Sequence, residues 1–349
     1  MADGVPTGFI GSPFPEERRG APAATSTVSL SRQQPRCSTS VERETLRDPH
    51  HDTGTTTAGP LDDTVTRRRG RKLATTRTMS TRTMSTATMR TTTTGGTMTD
   101  LHHVRALITG GTSGLGRAMA EGLADAGARV AVTGRSADRV AEAATAIGND
   151  TVGIVMDSRD DSSVDAGTAA AWDALGGVDL LVNNAGIGMR TVNPDFMTTP
   201  QGFWDVTPDG FRAVVDTNLT GYFLVARAVV PRMLAAGSGR VVTISMNHGT
   251  MNRRGFVPYG PSRAGAEAFA RIMAADLADT PVRANILLPG GATATGMLDG
   301  AAQPAGLAVL SPDVMRDPIR WLASDESADV HDERIVATEF AEWLAARRR

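Results

Sequence analysis

The sequence predicts one α/β domain built on a doubly wound parallel sheet with helices on both faces, preceded by a long segment without regular structure. From residue 104 to 337, short apolar runs alternate with helical patterns, as expected for strands that helices cover on both faces. This part spans 234 residues, which fits one domain with right-handed crossovers. Residues 1–97 are instead rich in threonine, serine, arginine, glycine and proline and lack hydrophobic periodicity.

The segment before the domain differs from it in charge as well. Residues 1–97 carry 14 basic and 9 acidic residues, whereas residues 98–349 carry 22 and 29. Residues 1–97 contain too few aliphatic side chains for their burial to offset the conformational entropy lost on folding. We therefore predict that this segment is disordered. The basic run at 67–72 indicates a solvated charge cluster, with a nuclear signal or an anionic contact as alternatives. Met89 and Met98 lie shortly before the first predicted strand, and either is a candidate for the true start.

Composition argues against several classes of protein. No run of about 18 apolar residues predicts a membrane helix. The first residues lack a basic region followed by an apolar one, so we predict no secretion signal and a cytoplasmic protein. Cys37 is the only cysteine, and no histidines have His-x-x-x-His spacing, so we expect neither a disulfide nor a metal site. The acidic domain argues against nucleic acid as a partner.

The predicted elements follow one another in regular order. Runs of apolar residues predict strands, at 104–109, 129–133, 152–156, 178–182, 240–245, 282–288 and 334–337. Apolar residues at helical spacing predict helices, at 115–126, 137–147, 164–175, 208–234, 258–277 and 312–322. Pro208 falls in the first turn of its helix, where its missing N–H is tolerated. Residues 339–349 predict a short amphipathic helix. We therefore predict disorder at 1–99, a folded domain at 100–340 and a tail at 341–349.

The turn between the first strand and the first helix contains three spaced glycines, in Thr109-Gly-Gly-Thr-Ser-Gly-Leu-Gly116. Such a turn lets the backbone approach a pyrophosphate, whose charge the helix N-terminus stabilises. A plain tight turn is the alternative, but the required strand precedes and the required helix follows. We predict dinucleotide binding by Gly110, Thr112, Ser113, Gly114, Leu115 and Gly116.

The end of the second strand discriminates between nicotinamide cofactors. An acidic residue there binds the ribose 2′-hydroxyl of NAD, whereas a nearby arginine accommodates the 2′-phosphate of NADP. The segment Thr133-Gly-Arg-Ser136 contains no carboxylate. We predict that Arg135 binds the 2′-phosphate and that NADP(H) is preferred. If Arg135 is only a surface residue, NAD(H) is the alternative.

Polar and small residues follow the third and fourth strands. Asp157 and Ser158 are placed to hydrogen-bond an adenine ring. The small or amide side chains of Asn184, Ala185 and Gly186 allow a loop to lie beside a cofactor, although asparagine is also common in ordinary turns. We assign all five as cofactor contacts.

Tyr259 and Arg263 lie four residues apart at the start of a predicted helix, so their side chains share a face. Tyrosine hydroxyls, with ordinary pKa values near 10, need a nearby cation to exchange protons at neutral pH. At about 4 Å and an effective dielectric constant near 20, a cation supplies roughly 4 kcal/mol, which is sufficient. Taken alone, the pair is equally consistent with a packed tyrosine and a surface arginine.

With these motifs in order, the sequence resembles the short-chain dehydrogenase/reductase family over about residues 102–337. The matching segments are TGGTSGLG at 109–116, NNAG at 183–186, DTNL at 216–219, GRVVTIS at 239–245, YGPSR at 259–263 and PGG at 289–291. The resemblance implies a Rossmann-like sheet, NAD(P)(H), and hydride transfer between a small-molecule alcohol and its carbonyl form. It further implies that Pro289, Gly290 and Thr295 contact the cofactor.

The resemblance also implies roles for individual residues. In that family a tyrosine exchanges the proton, a serine orients the carbonyl, a lysine supports the tyrosine and binds ribose, and an asparagine holds a water. Tyr259 and Asn218 match the tyrosine and the asparagine. Arg263 stands at the lysine position, where it supplies charge and hydrogen bonds but does not deprotonate. A homodimer or homotetramer through helices 208–234 and 258–278 is implied as well.

The serine position departs from the family pattern, because Met246 occupies it. Ser245 lies one residue earlier, and along a regular strand its side chain points to the opposite face. A bulge would return Ser245 to the site, and we predict it as the carbonyl-orienting residue. Asn247, His248 and Thr250 are the alternatives.

The substrate pocket is expected between the segments 187–206, 246–257 and 292–311. These segments contain large apolar side chains, which indicate an apolar pocket: Met189, Phe196, Trp204, Met246, Met251, Phe256 and Met297. Packing is the alternative, since methionine and aromatic residues in loops more often pack than contact a ligand. The arginines Arg190, Arg253 and Arg254 are candidate contacts for an anionic substrate, with solvated surface residues as the alternative.

Three candidate functions therefore remain. The first is an NADP(H)-dependent oxidoreductase acting on an alcohol or carbonyl. The second is a catalytically weak nucleotide-binding regulator, favoured by the joint replacement of the family's lysine and serine. An interaction protein acting through the basic N-terminal segment is a third candidate, which requires that segment in the mature chain.

Overall fold

The computed structural model describes residues 100–298, residue 300 and residues 303–349. Its strands are β1 Arg105–Ile108, β2 Arg129–Gly134, β3 Val152–Val155, β4 Leu180–Asn183, β5 Gly239–Ile244, β6 Val282–Leu288 and β7 Arg334–Val336. They form one seven-stranded sheet in the order β3-β2-β1-β4-β5-β6-β7, with every pair parallel. The predicted doubly wound parallel sheet is confirmed. The predicted disorder, the basic run and the candidate start residues lie outside the described residues.

Helices cover both faces of this sheet. They are α1 Gly114–Asp125, α2 Ala137–Ile147, α3 Asp161–Leu175, α4 Pro208–Val215, α5 Gly221–Ala236, α6 His248–Met251, α7 Tyr259–Leu277, α8 Arg316–Ala323 and α9 Phe340–Arg347. The apolar core on one face is built mainly with α1 and α8, and the core on the other with α3, α5 and α7. The short helix α6 follows β5 and was not among the predicted elements.

The strands are apolar along their whole length because both of their faces are buried. In β1, Ala106 and Ile108 belong to the core under α1, whereas Leu107 between them belongs to the opposite core. All three are fully buried. Consecutive side chains of a strand point to opposite faces, so a doubly covered strand needs apolar residues at every position.

The long helix predicted at 208–234 contains an irregularity. A turn of π-helix at Asp216–Thr220 separates α4 from α5, and it contains Asn218. Over Pro208–Ala236 the combined helix is long and apolar enough to cross a membrane, with a window of mean hydropathy 1.3. This test rests on length and composition alone, and a core helix of an α/β domain also passes it. Here the inward side chains of α5 pack into the core beside α3 and α7.

The C-terminal residues pack against the domain. The predicted helix at 339–349 is present as α9, and it places Phe340, Trp343 and Leu344 against the core under α8. The ring centroid of Trp321 lies 5.8 Å from that of Phe340 and 5.4 Å from that of Trp343. The predicted boundary at residue 340 therefore falls at the start of a helix that extends this core.

Candidate active site

A cavity of about 850 Å³ opens where the parallel strands end. The loops after β1 to β6 line it, as expected for an open α/β sheet, in which ligands bind at the carboxyl ends of the strands. It brings together all predicted cofactor contacts: Gly110, Thr112, Ser113, Gly114, Leu115, Gly116, Arg135, Asp157, Ser158, Asn184, Ala185, Gly186, Tyr259, Arg263, Pro289, Gly290 and Thr295. Ser245 also lines it, whereas Asn218 does not.

The glycine turn after β1 is pressed against the loop after β4. Gly110 has a φ of +65°, and a Cβ built on it would lie 2.7 Å from the Cα of Ala185. A Cβ on Gly116 would overlap the side-chain amide of Asn184. Both positions therefore require glycine. The glycine turn and the loop after β4 lie in contact and together form the base of the cavity.

The first turn of α1 has backbone N–H groups that no cap satisfies. Ser113 makes no side-chain cap hydrogen bond, and the turn contains no acidic residue. By contrast, Ser136 caps α2 and Asp160 caps α3, each by accepting a backbone hydrogen bond. Because unpaired N–H groups and the helix dipole favour an anion, this turn suits a pyrophosphate.

Arginines surround the cavity at the ends of β2 and β3. Arg135 and Arg139 both line it, and neither forms an ion pair within the described part of the chain. Asp157 is paired with Arg159, with 2.6 Å between Oδ2 and Nη2, and this hydrogen bond lowers the pKa of Asp157. Sequence analysis missed Arg139 and Arg159, although the spacing of four from Arg135 to Arg139 at a helix start was a usable signal.

Asn184 holds the floor of the cavity together. Its Nδ2 donates to the carbonyl oxygens of Thr109 at 2.9 Å and Gly110 at 3.1 Å. The backbone N–H of Ala185 donates to Thr109 Oγ1 at 3.0 Å. The amide of Asn184 is thus engaged with the glycine turn, and the loop presents mainly backbone to a ligand.

Tyr259 and Arg263 lie on one face of α7, as their spacing predicts. The Arg263 guanidinium carbon is 5.2 Å from the Tyr259 ring centroid, and the Tyr259 hydroxyl reaches Met297 Sδ at 3.7 Å. A Cβ on Gly186 would overlap the Arg263 guanidinium, so the loop after β4 lies directly on this group. The pair therefore faces the same cavity as the glycine turn.

Tyr222 is a second partner of Arg263, which sequence analysis missed. Arg263 is only 3% exposed, and its Nη1 donates to Tyr222 Oη at 2.6 Å and to the Ile244 carbonyl at 3.1 Å. Burial alone would lower the pKa of Arg263, but the phenol oxygens of Tyr222 and Tyr259 raise it. Burial raises the pKa of Tyr222 despite the nearby charge. Arg263 therefore stays cationic beside a neutral Tyr222.

Asn218 lies behind the cavity wall and is completely buried. Its Oδ1 accepts from the Ile187 N–H at 2.9 Å, and its Nδ2 donates to the Ile187 carbonyl at 3.0 Å and to Ser262 Oγ at 3.1 Å. The π-helical turn thus ties the loop after β4 to the first turn of α7. This arrangement sets the position of Tyr259 relative to the cavity floor.

The end of β5 shows no bulge that would turn Ser245 toward the reacting group. The ladder with β6 is regular through Ile244, and the Ser245 N–H continues it to the Leu287 carbonyl at 2.9 Å. Ser245 Oγ is buried and makes no hydrogen bond of ordinary geometry with the described residues. Met246, at the position of the family's serine, belongs to the apolar cluster beside Phe256.

Two of the three alternatives to Ser245 are engaged elsewhere. Asn247 Nδ2 donates to the Gly290 carbonyl at 2.8 Å, and His248 Nε2 lies 3.0 Å from Glu267 Oε2. Thr250 lines the cavity.

A charged cluster fixes the loop after β5. Arg334 Nε donates to Glu267 Oε1 at 2.9 Å, and Arg334 Nη2 donates to the Met246 carbonyl at 2.8 Å. Burial alone would raise the pKa of Glu267. The nearby Ser245 hydroxyl, although outside ordinary hydrogen-bond geometry, and the hydrogen bonds with His248 and Arg334 lower it. Sequence analysis did not find this cluster, whose charges hold the backbone of Met246 in place.

The substrate half of the cavity is apolar, as predicted. The residues that line it include Met189, Phe196, Met246, Phe256 and Met297, and Met251 is buried in the adjoining cluster. Trp204 does not line the cavity: this side chain is 75% exposed, and its ring packs edge-on against the neighbouring Phe203. Arg190 and Arg253 line the cavity and Arg254 does not.

Among the described residues, no group of three or more histidine, cysteine or acidic side chains could hold a metal.

Comparison with known proteins identifies the family. The short chain dehydrogenase model matches residues 104–305. The chain is 31% identical over 238 residues to the 3-oxoacyl-acyl-carrier-protein reductase FabG of Vibrio cholerae, covering 66% of this chain and 93% of that enzyme. It is 34% identical to a probable NADP-dependent dehydrogenase of Haemophilus influenzae, covering 53% and 70% of the two chains.

A solved structure supports the same assignment. The 3-ketoacyl-(acyl-carrier-protein) reductase of Brucella melitensis, complexed with NADH, matches with a TM-score of 0.60 at 27% identity. The match covers 68% of this chain and 97% of that one. The family model, the relatives and the fold agree, and the chain belongs to the short-chain dehydrogenase/reductase family of NAD(P)-dependent oxidoreductases.

Proposed function

We propose that the protein is an NADP(H)-dependent oxidoreductase that interconverts an alcohol and a carbonyl in a small molecule. The observation that carries this proposal is the pairing of Tyr259 with the buried Arg263 in a cavity that also holds the glycine turn. Hydride transfer to a carbonyl requires a cofactor held beside the substrate and a group that exchanges a proton with the substrate oxygen. This cavity places a tyrosine hydroxyl beside a surface suited to a dinucleotide.

The residues present fit a phosphorylated dinucleotide. The uncapped turn of α1 suits the pyrophosphate, and Arg135 with Arg139 suits a 2′-phosphate. When bound, the nicotinamide supplies or accepts the hydride, and the protein supplies placement and proton handling. The Haemophilus relative is named as NADP-dependent, whereas the Brucella structure holds NADH, so NAD(H) is the alternative that the experiment must separate.

Within this proposal, the protein's side chains divide the work of proton transfer. Tyr259 gives its proton to, or takes it from, the substrate oxygen. Arg263 supplies a permanent positive charge and a contact for the nicotinamide ribose, but it does not relay a proton. Tyr259 must therefore exchange its proton by another route, for which we propose a water at Asn218. Both Nδ2 hydrogens of Asn218 are already donated, to the Ile187 carbonyl and to Ser262 Oγ, so this water must bind through an oxygen atom of Asn218. The bulge that would turn Ser245 toward the substrate is absent, so its role as the carbonyl-orienting residue rests only on its place in the cavity lining. Thr250, which lines the same cavity, is the alternative.

A catalytically weak nucleotide-binding regulator is the second candidate function. It is favoured by one observation, that Met246 and Arg263 stand where the family's serine and lysine are expected. Both candidates bind a dinucleotide. They differ in whether substrate turnover depends on Tyr259.

The test follows NADPH oxidation at 340 nm with the purified full chain and a panel of aldehydes and ketones, with NADP and alcohols for the reverse direction. We expect turnover, and we expect Tyr259→Phe to lower kcat by about 10²- to 10⁴-fold, the usual contribution of general acid–base catalysis. NADPH binding, measured by fluorescence, should survive the substitution. Tight NADPH binding without turnover in either direction would favour the regulator.

A further inference from the structure

The substrate half of the cavity combines an apolar wall with two positive charges. Met189, Phe196 and Phe256 are buried in one apolar cluster beside it. Arg190 and Arg253 line the same cavity, and neither forms an ion pair with any carboxylate among the described residues. Apolar walls bind carbon skeletons, and a few placed polar groups select among them.

Arg190 is connected to the reacting hydroxyl through one loop. Its Nη1 lies 3.4 Å from the carbonyl oxygen of Gly296. The next residue, Met297, contacts the Tyr259 hydroxyl through its sulfur at 3.7 Å. The backbone of Arg190 is fixed as well, because the preceding Met189 is buried in the apolar cluster. Arg190 and the Tyr259 hydroxyl thus contact adjacent residues of one loop, so a single ligand can reach both.

Arg253 lies over the apolar wall. Its guanidinium carbon is 5.3 Å from the ring centroid of Phe256, and that ring packs edge-on against Phe196 at 5.7 Å. A guanidinium resting on an aromatic ring keeps its N–H edge available for an anion. Its neighbour Arg254 is also exposed but does not line the cavity, so a substitution at Arg254 is a suitable control for the same substitution at Arg253.

We propose that the substrate is an amphipathic anion: an apolar body bearing the reacting alcohol or carbonyl, with a carboxylate or similar group held by Arg190 and Arg253. This inference rests on the proposed oxidoreductase function and specifies its substrate class. Guanidinium groups bind carboxylates through paired N–H bonds, which gives direction as well as attraction. A neutral molecule of the same shape would pack against the apolar wall and leave both arginines without an ion-pair partner among the described residues.

The test compares a formylbiphenyl carboxylate with its methyl ester, two aldehydes that differ in charge at one end. With the full chain and NADPH, we expect kcat/KM to favour the acid by at least about tenfold, the equivalent of about 1.4 kcal/mol, mainly through KM. The double variant Arg190→Gln/Arg253→Gln should lose this preference, because kcat/KM for the acid should fall to the level of the ester or below it. The control Arg254→Gln should keep the preference.

Binding is measured separately so that turnover is not required. Calorimetry in the presence of NADP compares biphenyl carboxylate with its methyl ester on the same variants. Preference for the acid that disappears in the double variant supports the inference, with or without turnover. Equal binding of acid and ester, or a preference that the double variant retains, overturns it. Turnover of the ester with no acid preference would leave the oxidoreductase standing and remove only the anionic substrate class.

Discussion

At the scale of single residues, Arg263 depends on Tyr222. A lysine in this position would present one ammonium, whereas the guanidinium spreads its donors between Tyr222 Oη and the Ile244 carbonyl. Both of the chain's tyrosines, Tyr222 and Tyr259, lie within 6 Å of this guanidinium by ring centroid, at 5.6 and 5.2 Å. Arg263 and Tyr222 should therefore contribute to stability jointly rather than independently.

A double-mutant cycle tests this joint contribution. Arg263→Lys removes Nη1, the atom that donates to the buried Tyr222 hydroxyl. Tyr222→Phe leaves Arg263 Nη1 with the Ile244 carbonyl as its remaining acceptor. Each change should lower the free energy of unfolding by about 1–3 kcal/mol. The double variant should lose less than the sum, with a coupling energy of about 1 kcal/mol or more in urea titrations. Strict additivity would show that the hydrogen bond does not couple the two residues.

Arg135 carries the prediction on cofactor choice. Replacing it with aspartate removes a charge-assisted contact to a 2′-phosphate and supplies a carboxylate for a ribose hydroxyl. We expect kcat/KM for NADPH to fall by about tenfold to a hundredfold, and the value for NADH to rise. Arg283→Asp, outside the cavity lining, is the control. Unchanged preference in Arg135→Asp would contradict the assignment of NADP(H).

At the scale of elements, the Glu267–Arg334 pair joins α7 to β7 and reaches the loop after β5. Because the pKa of Glu267 is lowered in the folded protein, its stabilising effect is present above its unfolded value, near 4.3, and is lost as the pH falls through the lower folded value. The melting temperature should therefore decrease in this acidic range. In Glu267→Gln the same decrease should be smaller, which thermal melts from pH 3 to 7 would reveal.

The regular elements were predictable because each is encoded locally. Continuous apolar runs mark strands buried on both faces, and glycines at 110, 114 and 116 mark the turn between β1 and α1. The π-helical turn was not predictable from local sequence. Its Asn218 forms hydrogen bonds with residues 31 and 44 positions away, which no local pattern shows. The same holds for the Glu267 cluster, whose members are 19 and 67 positions apart. Trp204 was a pocket candidate only because it lies in the segment 187–206, and a sequence segment does not show which of its side chains face the cavity.

At the scale of the whole molecule, the outer surfaces of the long helix and of α7 carry large apolar side chains. Phe211 and Phe223 are 40% and 45% exposed, and Ile272 is 61% exposed. Phe223 packs edge-on against Phe269 of α7, with 5.9 Å between ring centroids, so the patch spans both helices. Contiguous exposed apolar surface favours association, and we propose a dimer or tetramer through these helices.

Charge introduced into this patch tests the assembly. We expect Phe223→Glu and Ile272→Glu to convert the assembly to a monomer in light scattering coupled to gel filtration. Phe203 is 68% exposed on the loop before α4 and outside this patch, so Phe203→Glu serves as the control. A wild-type monomer, or variants that keep the wild-type mass, would exclude an interface on these helices.

The arginines of the cavity have one more consequence, which concerns approach rather than binding. Six arginines and one aspartate line it, although residues 98–349 as a whole carry more acidic than basic residues. The cavity lining therefore carries net positive charge in a domain of net negative charge, and a field of this sign attracts anionic ligands. Salt shortens the reach of such a field to about 10 Å at 0.1 M. Association rates of the cofactor should therefore fall steeply with ionic strength, while dissociation rates change little.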